Sequence, residues 1–169
     1  LFPYTTLFRS EGRELLPETV FAIAQHHRVG IVLDRWVIAQ ALRLLRERQA
    51  KPPILFINIS AAILQDSAMM EWLSAGLEKT RVTPGNLVFE LPESAARQHA
   101  ARAAAFIDRL HQLGCGFSME RFAGSESSLA LALKLKVNYA KFDRSFVENL
   151  TTDRALQERL ASVASSLKN

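Results

Sequence analysis

One cysteine, Cys115, is all the thiol chemistry this chain carries, which excludes an internal disulfide and a cysteine-built zinc site. It lies in an apolar run, the setting of a buried small hydrophobe. Long apolar stretches are missing as well. None approaches roughly 18 residues, so nothing reads as a membrane span, and a cytoplasmic location is the expectation. Clustered charge is absent too. A net charge of +4 and a pI near 9.6 are mildly basic, and basic residues such as Arg43, Lys51, Arg81, Arg102 and Lys134 are scattered. A solvated surface follows, and a nucleic-acid polymer is not an expected partner. There is no low-complexity segment, no long linker and no compositional break marking a second domain. Apolar residues at 49% and charged residues at 22% match an ordinary globular chain able to bury a core.

What is present is an alternation of helices and short strands. Pro17 falls in the first turn of a predicted helix, where its missing N–H costs nothing, and Gly30 separates that helix from a longer one. In the longer helix Leu33, Trp36, Val37, Ala41 and Leu44 share one broad face, interrupted by Gln40, and Pro52-Pro53 ends it. PILFINIS reads as a strand buried on both faces. A helix from about Met69 to Lys79 follows, with Met70, Leu73 and Leu77 on one side. After a turn at Pro84-Gly85, LVFE is the next strand. Ala95 to Leu113 is predicted as one helix, closed by Gly114 at its C-cap. GFSME, a short helix near Leu129 to Leu135, YAKFD and a helix from Leu156 to Leu167 complete the chain. Strand and helix in this order predict an α/β fold with parallel pairing through crossovers.

The strands share one feature. Each is apolar until its C-terminal end and then carries a residue expensive to bury: Asn58, Glu90, Glu120, and Lys141 with Asp143. Singly, each has a structural explanation. Ser60 suits a helix cap after Asn58, Glu90 and Glu93 suit a solvated end or a cap, Glu120 suits an exposed site, and Lys141 suits a pair with Asp143. Together they mark one rim, because successive parallel strands present their C-terminal ends on one face, the ligand face of barrels and open α/β sheets. Carboxylates with an amide oxygen are hard ligands for Mg²⁺ or Mn²⁺. A nearby lysine suits an anionic substrate or a water to be activated.

The stretches INIS, FELPES, GFSMERFAGSESSL and KFDRSFVENL, in this order, resemble the EAL domain family. The resemblance implies a TIM-barrel-like fold, incomplete here, that binds and in active members hydrolyses the bacterial second messenger cyclic di-GMP with Mg²⁺ or Mn²⁺. Asn58, Glu90, Glu120 and Lys141 stand 32, 30 and 21 residues apart, as successive βα units would be. By the resemblance Asn58 and Glu90 are metal ligands, Glu93 anchors the catalytic loop, and Lys141 contacts the attacking water. The family implies further domains of a larger signalling protein as partners and admits a homodimer.

The match fails where active members carry Asp-Asp-Phe-Gly-Thr-Gly and this chain has Glu120-Arg121-Phe122-Ala123-Gly124-Ser125. Glu120 keeps a carboxylate that still qualifies as a metal ligand. Its extra methylene moves the oxygens by about 1.5 Å, where a site tolerates roughly 0.5 Å. Arg121 puts a cation where the family has an anion. Two unit charges about 4 Å apart cost about 4 kcal/mol at an effective dielectric of about 20, a divalent ion doubles that, and arginine cannot shed its proton. The second metal site is therefore expected to be absent, and two-metal hydrolysis with it. Ala123 and Ser125, where the family has glycine, are expected to restrict the loop backbone. The leading expectation is an inactive cyclic di-GMP receptor, with Arg121 available to a phosphate. The alternatives are a working phosphodiesterase, an interaction scaffold that has lost the nucleotide, and, remotely, a Schiff-base aldolase using Lys141.

LFPYTTLFRS, residues 1–10, has neither a strand alternation that leads anywhere nor a helical stripe, and is too short and polar for a signal-peptide core. One back-translation, CTCTTTCCCTACACGACGCTCTTCCGATCT, resembles a sequencing-library adapter. Residues 1–10 are accordingly expected to be an assembly scar, with 11–169 a partial EAL domain truncated at both ends. Resequencing the source locus across both ends is the test: a Glu-x-Leu strand in place of the adapter and a later glutamate-bearing strand would favour the receptor, and a first strand without that glutamate would favour the scaffold. A contiguous genomic read through LFPYTTLFRS would disprove the assembly scar.

Overall fold

The structure is a computed structural model, and it describes residues 8–10, 13–15, 19–20, 23–24, 29–144, 150 and 153–168. The helix expected from Pro17 lies largely outside the described residues. At the N-terminal end, β1 (Phe8–Ser10) pairs antiparallel with β2 (Arg13–Leu15). Three of the ten residues expected to lead nowhere thus form one arm of a small hairpin, set apart from the main sheet.

The main sheet is parallel, with β3 (Leu55–Asn58), β4 (Leu87–Pro92), β5 (Gly116–Phe122) and β6 (Tyr139–Phe142) as neighbours in chain order. Parallel neighbours need crossovers, and helices supply them. They are α2 (Met69–Thr80) after β3, α3 (Glu93–Gln98) with α4 (Ala100–Gln112) after β4, and α5 (Glu126–Lys134) after β5. The long α1 (Gly30–Glu47) precedes β3, and α6 (Arg154–Lys168) follows β6. Among the described residues no helix is long and apolar enough to cross a membrane.

Register decides the two faces of the sheet. Ile57 pairs with Phe89 and Phe89 with Phe117, while Asn58 pairs with Glu90 and Glu90 with Ser118. Alternation then sends Ile57, Phe89, Leu91, Phe117 and Met119 to one face. There they join Leu42 and Leu45 of α1, Leu73 and Leu77 of α2, and Ile107 and Leu110 of α4 in one core. Cys115 lies in that core, and burial pushes its thiol up to about 12.

The opposite face is concave. Phe56 and Tyr139 stand on the outermost strands, which three spacings of about 4.8 Å would separate in a flat sheet. Their rings nevertheless meet edge-to-face at 5.1 Å, so the sheet is rolled. On the intervening strands Gly116 pairs with Val88, and a Cβ there would come within 3.1 Å of the Val88 side chain. The strand at residues 55–58 is therefore not buried on both faces as expected. Only Ile57 is, while Phe56 is 39% exposed on the open side.

Two helices differ from expectation. The buried positions of α1 are Gly30, Asp34, Ile38, Ala41, Leu42 and Leu45. Of the predicted stripe only Ala41 is among them, and Trp36 is 42% exposed. The inward stripe runs through an aspartate, which hydropathy alone excludes from a core face. The segment 93–112 is two helices, broken at His99 (φ −118°, ψ 36°).

Gly114 ends α4 at φ 81°. Its N–H bonds to the His111 carbonyl and that of Cys115 to Leu110, the pattern of a Schellman cap. Gly114→Ala is expected to cost about 1 kcal/mol and to lower Tm by roughly 2–4 °C. An unchanged Tm would show that the turn relaxes.

Candidate functional site

The site begins with strand ends. Asn58, Glu90 and Ser118 form a row across three strands, and Tyr139 pairs with Ser118 on the fourth. Glu120 and Lys141 stand two residues further along β5 and β6 on the same face. The predicted residues Asn58, Glu90, Glu120 and Lys141 are thus brought together on the concave rim.

They are compensated pairwise. Lys141 Nζ lies 2.5 Å from Glu90 Oε1 and 4.4 Å from the centre of the Phe56 ring. Lys141 pairs with Glu90, not with Asp143 as the local reading allowed. Oriented by its partners, the Asn58 amide nitrogen donates to both Glu120 oxygens at 3.0 and 3.1 Å. Burial raises the Glu120 pKa, the charge of Glu90 adds to the rise, and Lys141 and Arg121 oppose it.

Glu93 opens α3, one turn beyond the rim. Its Oε2 accepts the Ala123 N–H at 2.8 Å, and its Oε1 accepts from Arg97 at 2.6 Å and from the Ser128 hydroxyl at 2.7 Å. Burial works against ionisation of this carboxyl, but the donors outweigh it and hold the pKa below the usual value. Ser125 caps α5 by accepting the Ser128 N–H at 3.1 Å. The loop after β5 is therefore pinned at Ala123 and at Ser125.

Between Glu120 and that pinned segment the pairing of β5 with β6 slips, with irregular register between Met119 and Phe122. Arg121 takes the slack in the left-handed region at φ 51°, and Gly124 follows at φ 60°. A left-handed arginine costs about 1–2 kcal/mol. The expected restriction at Ala123 and Ser125 does not arise, since the positive φ angles in this loop fall on Arg121 and Gly124 and Ser125 is extended. Arg121 itself is exposed.

Asn58, Glu90 and Glu120 supply oxygen donors of the kind Mg²⁺ or Mn²⁺ takes. The rise in Glu120 caused by Glu90 marks two carboxylates close enough to repel, an arrangement a cation relieves. Among the described residues no three His, Cys, Asp or Glu side chains converge as a metal-binding group, and Lys141 and Asn58 already compensate the two carboxylates. The donor set fits one hard divalent cation that displaces these internal partners.

The EAL domain family model matches residues 4–169. The chain belongs to the EAL domain family. The cyclic di-GMP phosphodiesterase PdeF of Escherichia coli is 26% identical over 158 residues, covering 92% of this chain and 21% of PdeF. The oxygen sensor protein DosP of the same organism is 30% identical over 141 residues, covering 80% of this chain and 18% of DosP. The chain thus spans about a fifth of the length of these curated relatives. The crystal structure of the FimX EAL domain from Pseudomonas aeruginosa bound to c-di-GMP matches with a TM-score of 0.86 at 29% identity, covering 96% of this chain and 66% of that one. Its fold is the TIM-barrel-like one, and β3 to β6 form a four-stranded arc of it.

Sequence reasoning missed Asp34. It is 0% exposed and ties α1 to the segment just after Asn58. Its two oxygens accept the Ser60 N–H at 3.0 Å and the Ser60 hydroxyl at 2.6 Å. Ser60 was read as a helix cap, but it makes no side-chain cap bond. Its hydroxyl serves Asp34 and packs so closely on Gly30 that a Cβ there would meet it at 2.8 Å. Polar residues closing a strand and opening a helix were the available signal, without anything to pair them.

Burial pushes the Asp34 carboxyl up to about 6, against the pull of the two Ser60 hydrogen bonds. A folded pKa above the ordinary 3.8 means this group's contribution is full below about pH 3.8 and lost as pH rises through about 6, roughly 3 kcal/mol in all. Asn can accept the Ser60 N–H and donate to the Ser60 hydroxyl. Asp34→Asn is therefore expected to hold or raise Tm at pH 8 and to remove the loss between pH 4 and 7. A drop of several degrees at pH 8 would show that the charge itself is needed.

Proposed function

We propose that this EAL domain is a cyclic di-GMP receptor, a regulatory module of a larger bacterial signalling protein acting in the cytoplasm, and that it does not hydrolyse the nucleotide. The observation that carries the reading is Arg121, a fixed cation beside Glu120 where in-line hydrolysis needs a second divalent ion. Asn58, Glu90 and Glu120 would hold a single Mg²⁺ or Mn²⁺, whose chemistry when bound is to polarise a phosphoryl oxygen. Lys141 presents its ammonium to an anionic ligand, Glu93 keeps the loop in place, and exposed Arg121 is available to a phosphate oxygen. The likeness to an EAL domain bound to c-di-GMP supports nucleotide binding.

A second reading, a metal-dependent phosphodiesterase, is favoured by one observation. Glu93 holds the loop through the Ala123 N–H at 2.8 Å whatever stands at position 121. Calorimetry with cyclic di-GMP and a hydrolysis assay with Mg²⁺ and Mn²⁺ separate the two. Binding without linear dinucleotide is expected, with affinity reduced about tenfold in Arg121→Ala. Metal-dependent linearisation would establish the phosphodiesterase, and no binding at all would favour an interaction scaffold. Affinity unchanged in Arg121→Ala would remove Arg121 from the nucleotide site.

A further inference from the structure

Ser118 has taken no part so far. It is 0% exposed, its hydroxyl has no hydrogen-bond partner among the described residues, and it is the register partner of Glu90 on the concave face. Glu90 is 2% exposed. Its Oε1 has the ion pair with Lys141 Nζ at 2.5 Å and no other partner among the described residues. A buried rotatable donor without a partner thus stands on the strand beside an anionic acceptor held by one ammonium. A buried hydroxyl with no partner costs stability, so its place in a packed rim asks for a state in which it is used.

Lys141 differs from both. Its side chain is 46% exposed on a flexible stem, so it can turn outward. With no divalent cation held by Asn58, Glu90 and Glu120, an ammonium drawn to an anionic ligand leaves Glu90 as a lone charge in a site almost closed to water, a strongly unfavourable state.

We infer that Ser118 is a positioning residue that takes over Glu90 when Lys141 turns to the ligand, its hydroxyl donating to the freed carboxylate. The inference deepens the receptor reading and rests on it for the identity of the ligand. Lys141 and Ser118 are then alternative partners of one carboxylate, and the rim passes between them with its backbone unmoved. The hydroxyl idle in the ligand-free protein is what lets a structural ion pair open at little cost.

A double-mutant cycle of Ser118→Ala and Lys141→Met at pH 8, read by thermal unfolding of the whole chain without nucleotide, tests the exchange directly. Ser118→Ala alone is expected to leave Tm unchanged or raise it, since it removes an unsatisfied group. The double variant is expected to lose roughly 4 °C or more beyond the sum of the single effects. Additive effects overturn the inference, because a merely structural serine has no reason to matter more once Lys141 is gone. Calorimetry without Mg²⁺ or Mn²⁺ reads the same exchange under load. Ser118→Ala is expected to weaken cyclic di-GMP about tenfold, and unchanged affinity beside a binding wild type overturns it as well. A wild type that does not bind overturns the receptor reading instead, and the thermal cycle then decides whether Ser118 serves Glu90.

Discussion

Parallel register is the constraint on which the rest of this structure depends. Pairing Ile57 with Phe89 and Phe89 with Phe117 fills the core beneath α1, α2 and α4. The same pairing leaves Asn58, Glu90 and Ser118 no choice but to line the other face. A slip of one residue would drive Glu90 into the apolar layer and Phe89 onto the rim, at a cost the sheet cannot meet. The rim is thus held by the packing of residues that never touch it. Rolling of the sheet, marked by the contact of Phe56 with Tyr139, then turns a flat row of polar ends into a converging set.

Convergence makes carboxylates a problem, and the molecule meets it differently at each one. Glu90 is balanced by a half-exposed lysine. Glu93 is held ionised by a backbone N–H, a guanidinium and a hydroxyl, which suits a group that must not move. Asp34 receives, among the described residues, the two Ser60 donors and is left with a raised pKa, so it acts as a tether more than as a charge. Several donors surround the group that pins a loop, while a single half-exposed ammonium faces Glu90 on the rim. That division is what a binding rim on a rigid scaffold requires.

Much of this was legible in the sequence. The polar residues ending each apolar run could be read onto one rim because strand polarity is a local signal and parallel order follows from the alternation of elements. The core face of α1 could not be read. Its stripe of Asp34, Ile38, Ala41, Leu42 and Leu45 begins with a charged residue whose burial makes sense only once Ser60, 26 residues away, is seen to satisfy it. The break at His99 was hidden too. Ala95 to Leu113 has the propensity of one helix, and no proline or glycine within it marks the interruption. Glycine counts misled at the loop itself, since the strained backbone falls on Arg121 and not on Ala123 or Ser125.

Arg121 brings these strands of argument together. Its left-handed backbone and the slipped register beside it show that the loop keeps its turn although a long charged side chain occupies it. The loop can do so because Glu93 and Ser125 hold its later part independently of residue 121. Charge at the rim can therefore be inverted without rebuilding the scaffold that presents it. Recognition of a phosphate needs donors and positive charge, whereas in-line hydrolysis needs two divalent cations in close register. An arginine on an intact loop strengthens the first requirement and opposes the second, and the receptor reading proposed above rests on that opposition at a single position.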